Sequence, residues 1–244
     1  MRPSSRACAE IGRPHPYIQA MLNRHPHVTR RALIGAGSAA TVAGFVQSTW
    51  RPLGPGFVDR GHPRPADARP KAPLTRLDPD LLERALVALH HHGAAIRHRD
   101  RVAIVDFAAP SSDARLHIFD VADGKRARFR VSHGSGSDPD HTGFLHTFSN
   151  TFDSNASSEG AFVTADYYEG RHGRSQRLLG LDRTNCNALS RSIVIHGAWY
   201  ANDDVVATHG KLGRSQGCFA VGEKSLSEVF DRLGEGRMIY ASRG

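Results

Sequence analysis

Residues 192–200 read SIVIHGAWY, and 22 positions after His196 the run Gly213-Arg214-Ser215-Gln216-Gly217-Cys218 ends in a cysteine. The β-branched run Ile193-Val194-Ile195 predicts a strand that His196 closes, with Gly197 immediately after it. A thiol becomes a strong nucleophile when a nearby imidazole takes its proton. Glycine beside that thiol lets backbone approach a substrate carbonyl and can turn amide N–H groups toward an oxyanion. A strand-end histidine and a glycine-flanked cysteine on a following loop thus make His196 and Cys218 a candidate base and nucleophile. Taken singly, each has a plainer reading. A lone cysteine is most often a small buried hydrophobe, and a lone strand histidine is more often a satisfied core or surface group. His209, nine positions before Cys218, competes as the base.

Outward from this stretch the β pattern continues. Short strands are predicted over 101–107, 114–120, 126–132, 161–165 and 177–181, divided by clusters of Gly, Pro, Ser and Asp. Arg237 to Ala241 closes as a strand. Asp78-Pro79 is a helix start, an N-cap acid followed by proline at the first helical position. Leu81, Leu82, Ala85, Leu86 and Leu89 then recur at helical spacing to about residue 92, and a second helix is predicted over 224–233. The sum is a mainly-β domain, a sandwich or partly closed barrel with a helix near each end.

The formal net charge of +8 raises a nucleic-acid reading, which its location removes. Residues 1–50 carry six Arg against one Glu, and residues 51–76 carry five Arg and one Lys against two Asp. Residues 77–244 hold 20 basic and 21 acidic side chains, so the folded part has no positive field for a nucleic acid. Metal chemistry lacks its spacing as well. His90, His91 and His92 are adjacent and cannot converge on one ion from a regular helix, and no His-Glu-x-x-His pattern occurs. No cofactor is implied. Of three cysteines, Cys8 lies far upstream, which leaves Cys186 and Cys218 for the domain. Cys186 reads as an inert buried thiol in preference to a regulatory partner for Cys218.

Residues 1–50 read as a leader. Arg30-Arg31 precede a charge-free run of fifteen residues, Ala32 to Val46, that is only mildly apolar. That is a secretory signal of the twin-arginine kind, an address for an export machinery rather than an anchor, and it places the mature protein in the periplasm or beyond the cytoplasm. No stretch of about 18 apolar residues offers a stable membrane span. Residues 51–76, with six prolines and three glycines, read as an extended linker, and the domain occupies 77–244.

His-Gly followed by Ser-x-Gly-Cys resembles the active-site motif of the murein L,D-transpeptidase catalytic domain family, the YkuD-like cysteine transpeptidases. The likeness extends to HGSGSD (133–138), FSNTFDSNASSEGAFVT (148–164), YYEGRHGRSQRLLGLD (167–182) and RSIVIHGAWY (191–200), in that order. It implies that Cys218 attacks the amide between a diamino acid and D-Ala in a peptidoglycan stem peptide. His196 then serves as base and later acid, oriented by the Gly197 carbonyl, and the N–H groups of Gly217 and Cys218 line the oxyanion site. It further implies that Arg214 and Ser215 hold a substrate carboxylate or amide, and that Tyr168, His172, Ser149 and Asn150 line or support the cleft. Two departures stand out. Many family members have His where Gln216 stands, and the interval from His196 to Cys218 is longer than the commonest motif. An amine acceptor gives a 3–3 cross-link and water gives an L,D-carboxypeptidase; a non-catalytic wall-binding domain is the third alternative.

Overall fold

The computed structural model describes residues 77–244. The leader and linker expectations lie outside the described residues. Helix α1 spans Pro79–His91, and the Asp78 carboxylate caps it by accepting from the Asp80 N–H at 3.0 Å. Strands β1 (Arg101–Asp106), β2 (Leu116–Asp120) and β3 (Arg126–Phe129) form an antiparallel meander. Strands β4 (Gly160–Gly170) and β5 (Gly173–Gly180) form a long hairpin, followed by β6 (Val194–Gly197) and helix α2 (Asp203–His209). Strand β7 (Phe219–Val221), helix α3 (Leu226–Leu233) and β8 (Met238–Ser242) complete the chain.

The expected mainly-β fold with a helix near each end is present. Instead of two packed sheets, the eight strands make one mixed sheet in the order β3-β2-β1-β8-β4-β5-β6-β7. Only β1–β8 and β6–β7 pair in parallel. The sheet is not closed as a ladder, but its two edges meet. The chain leaving β3 runs beside β7, and the Ser132 N–H donates to the Ala220 carbonyl at 2.8 Å.

Side-chain alternation gives each face its own task. One face contributes Ala103, Leu116, Phe162, Leu178, Ile195, Phe219 and Ile239 to a single core, sealed by Val229, Phe230 and Leu233 of α3. Each large apolar side chain buried there contributes about 2 kcal/mol. On the other face, Leu81, Ala85 and Leu89 of α1 cover Val102, Ile104 and Met238. The same face at β5, β6 and β7 is where the functional candidates lie.

Candidate active site

The strand register places the two principal residues. Strands β6 and β7 pair with Ile195 opposite Phe219 and His196 opposite Ala220. Ile195 and Phe219 point into the core, so His196 and Cys218, each one residue away along its strand, project to the opposite face. One register step before the ladder, Cys218 stands beside Val194, whose N–H faces its sulfur. Two strands away, Tyr168 pairs with Ser175 and Ser175 with His196, which sets Tyr168 in the same row.

His196 is buried, and its Nδ1 lies 2.9 Å from the Gly197 carbonyl. A carbonyl only accepts, so Nδ1 carries the proton and Nε2 is left with a lone pair. Burial lowers the pKa of His196; the Gly197 carbonyl opposes this, and His172 and Arg171 add to it. The imidazole is therefore neutral at pH 7, the state a base requires. His172 stacks on it with ring centroids 4.3 Å apart.

Cys218 is a free, half-buried thiol that donates to the Ser192 carbonyl at 3.5 Å. Ser192 has φ 56°, a left-handed conformation that non-glycine residues seldom adopt. Burial pushes the Cys218 thiol up, while the Val194 N–H and the charges of Arg171 and Arg191 pull against that rise. Among the described residues no hydrogen bond joins Cys218 to His196. His209 is exposed in the last turn of α2 and, among the described residues, makes no hydrogen bond with Cys218 either. Cys186 is half-buried instead of buried as expected, it accepts from the Asn150 side-chain amide at 3.1 Å, and it is not a partner of Cys218, whose thiol is free.

The loop before Cys218 is braced from three sides. Ser215 Oγ accepts from the Gly217 N–H at 3.1 Å and donates to the Cys218 carbonyl at 2.7 Å. The Ser215 N–H donates to the His133 carbonyl at 2.9 Å, and the Ser135 N–H returns to the Ser215 carbonyl at 2.8 Å. Gly217 has φ 107°, and a Cβ there would lie 2.7 Å from the Ala156 carbonyl oxygen, so only glycine fits. Arg191 fixes that neighbouring loop by donating to the Ser149 and Ala156 carbonyls, both at 2.7 Å.

This bracing corrects three expectations. The Gly217 N–H does not line an oxyanion site, because Ser215 Oγ already takes it. Ser215 is buried and closes the turn, leaving it no role in holding substrate. Arg214 points away and donates to the Asp138 and Pro139 carbonyls. The Ser149 carbonyl accepts from Arg191 at 2.7 Å, and the Asn150 side chain donates to the Arg183 carbonyl at 3.0 Å. Tyr168 is half-buried beneath the Arg177 guanidinium, 4.1 Å from its ring centroid.

Two residues were not singled out from the sequence. Arg171 sits at the two-residue tip of the β4–β5 hairpin, donating to His172 Nε2 at 2.9 Å and to Gln216 Oε1 at 3.2 Å. Gln216 thereby ties the hairpin tip to the Cys218 loop. The Tyr200 phenol is pushed up to about 12 by burial and by the charge of Cys218, which places it in the same electrostatic neighbourhood. The signal for Arg171 was present in Gly170-Arg171-His172-Gly173, a hairpin turn whose register sets its tip just beyond His196. Among the described residues, no group of three or more His, Cys, Asp or Glu side chains converges on a metal position, and no helix is long and apolar enough to cross a membrane.

A mainly-β sheet that presents a neutral histidine and a free cysteine on one face defines a candidate thiol-dependent acyl-transfer site. Residues 74–242 match the L,D-transpeptidase catalytic domain family, and the chain belongs to that family. Similar solved structures include an L,D-transpeptidase from Mycobacterium smegmatis, 13% identical over 59% of this chain and 58% of that one, with a TM-score of 0.36. The L,D-transpeptidase of Stackebrandtia nassauensis is 13% identical over 60% and 57%, with a TM-score of 0.35. The helical cell shape determining protein Pgp2 of Campylobacter jejuni is 14% identical over 61% and 49%, with a TM-score of 0.40. The chain thus spans about three-fifths or less of the length of these structures. No curated protein sequence matches it.

Proposed function

We propose that the chain is an exported L,D-transpeptidase that cleaves the amide before D-Ala in peptidoglycan tetrapeptide stems, with Cys218 as nucleophile and His196 as base. The observation that carries this reading is the joint placement of the two side chains on one face of β6 and β7, with the His196 tautomer fixed by Gly197. Rotation about the Cys218 Cα–Cβ bond takes the thiol from the Ser192 carbonyl toward the lone pair on His196 Nε2, which accepts its proton. The thiolate adds to the carbonyl of the diamino acid, and the Cys218 N–H faces the oxyanion. The C–N bond then breaks, and the proton on Nε2 passes to the departing D-Ala amine. A thioester remains. The amine of a second stem attacks it, His196 takes a proton from that amine, and the proton returns to the sulfur as the 3–3 cross-link leaves.

The twin-arginine leader supports a site of action outside the cytoplasm, where stem peptides are found. The test is mass-spectrometric product analysis of the full chain incubated with a disaccharide-tetrapeptide, alongside Cys218→Ala. Dimers short of one D-Ala, formed by the wild type and absent with the variant, are expected. Tripeptide monomers without dimers make the protein a carboxypeptidase. Neither product leaves a wall-binding domain.

A further inference from the structure

Four arginines stand around the Cys218 corner, and three of them are committed. Arg191 makes four hydrogen bonds into the 149–158 loop. Arg214 holds two backbone carbonyls, and Arg177 pairs with Asp166 at 2.7 Å. Arg171 differs. It is exposed at the hairpin tip, and among the described residues it makes no ion pair with a carboxylate. Its two partners are neutral, the His172 imidazole and the Gln216 amide oxygen, so only two of its five N–H groups are engaged. Those two partners place the guanidinium beside the site, since Gln216 stands two residues before Cys218 and His172 stacks on His196 with ring centroids 4.3 Å apart.

A planar guanidinium held in place without a counter-ion is a receptor for a carboxylate, which it can bind with two parallel hydrogen bonds. Taking the L,D-transpeptidase reading as its basis, we infer that Arg171 binds a carboxylate next to the scissile amide of the donor stem, and that Gln216 positions it. Two groups offer that chemistry. One is the carboxylate of the terminal D-Ala, and the other is the side-chain carboxylate of a diamino acid that carries one. Gln216 stands two residues before Cys218, so its amide holds the guanidinium near the sulfur and fixes where the donor ends. His172, between Arg171 and His196, carries the same hairpin contact to the base.

The experiment compares wild type, Arg171→Gln and Arg171→Lys on three donors. These are a tetrapeptide with both carboxylates free, the same peptide amidated at its C-terminal D-Ala, and one amidated at the diamino-acid side chain. Arg171→Gln is expected to raise KM for the free donor about 10- to 100-fold with kcat changed much less, the loss of a charge-assisted pair. Arg171→Lys should recover part of that loss. The penalty disappears on the donor lacking the carboxylate that Arg171 reads, which identifies the source. Equal KM values for wild type and Arg171→Gln on every donor, or the same loss on all three, would overturn the inference while leaving the enzyme reading intact. A wild type that turns over no donor removes the reading on which it rests.

Discussion

Of the chain's five His-Gly pairs, two have buried imidazoles, His133-Gly134 and His196-Gly197, each histidine being 1% exposed. They differ in what the second ring nitrogen meets. Nδ1 of His133 accepts from Arg115 at 2.8 Å, which puts the proton on Nε2, and Nε2 donates to Asp138 at 3.2 Å. Arg115 is fully buried and also donates to the Val131 and Ala109 carbonyls. Burial works against the Asp138 carboxylate, yet the N–H groups of Thr142 and Gly143, with His133, hold its pKa at about 2. Every polar atom of the His133 ring is satisfied, so this corner is structural. His196 has one nitrogen tied to Gly197 and the other free to take a proton. A buried imidazole with one open lone pair is a tool, whereas one with none is a strut.

The largest effect that separates the two corners should come from His196→Ala. Acylation is expected to fall by about 10²- to 10⁴-fold with the unfolding midpoint close to wild type, as rapid quench and denaturation would record. His133→Ala should do the reverse. It leaves Arg115 and Asp138 buried without their bridge, a loss of about 3 kcal/mol in chemical denaturation, while acylation per folded molecule stays within about tenfold of wild type. If both variants lose activity and stability alike, the distinction between the corners fails.

The smallest effect concerns a third imidazole. His117 on β2 is fully buried, and neither ring nitrogen has a partner. Burial, with Arg126 and Arg128 nearby, lowers its pKa to about 4, and burial with Arg115 does the same for His133. Both rings are neutral in the fold and protonate near 6.5 when unfolded, so the unfolded chain binds more protons in acid. Their contribution is complete above about pH 6.5 and is lost as pH falls toward 4, on the order of 3 kcal/mol for each. His117→Phe should flatten that acid loss and raise stability at pH 7 by about 1 kcal/mol, since two unpartnered polar atoms disappear. Denaturant midpoints between pH 4 and 8 check it, and an unchanged slope would remove His117 from the account.

Much of this was legible in residue order. Asp78-Pro79 announced α1, and Ile193-Val194-Ile195 announced the strand that carries His196, because capping and β-branching are local properties. Helix α2 escaped because it buries no residue and therefore leaves no apolar period. Strand β7 escaped because it has three residues. The roles of Ser215 and Arg214 were misread for a different reason. Motif spacing says that a polar side chain is near the cysteine, but not whether the backbone has already taken its hydrogen bonds. The sheet order, with β8 inserted between β1 and β4, depends on pairings far apart in sequence that no local pattern encodes.

The central claim is that Cys218 is acylated with His196 as its base, and intact-mass spectrometry of the protein mixed with a tetrapeptide donor tests it most directly. A tripeptide-sized adduct should form on Cys218 in the wild type, be absent from Cys218→Ala, and accumulate at least about a hundredfold more slowly in His196→Ala. An adduct that forms at the wild-type rate in His196→Ala, or that persists in Cys218→Ala, would contradict the account.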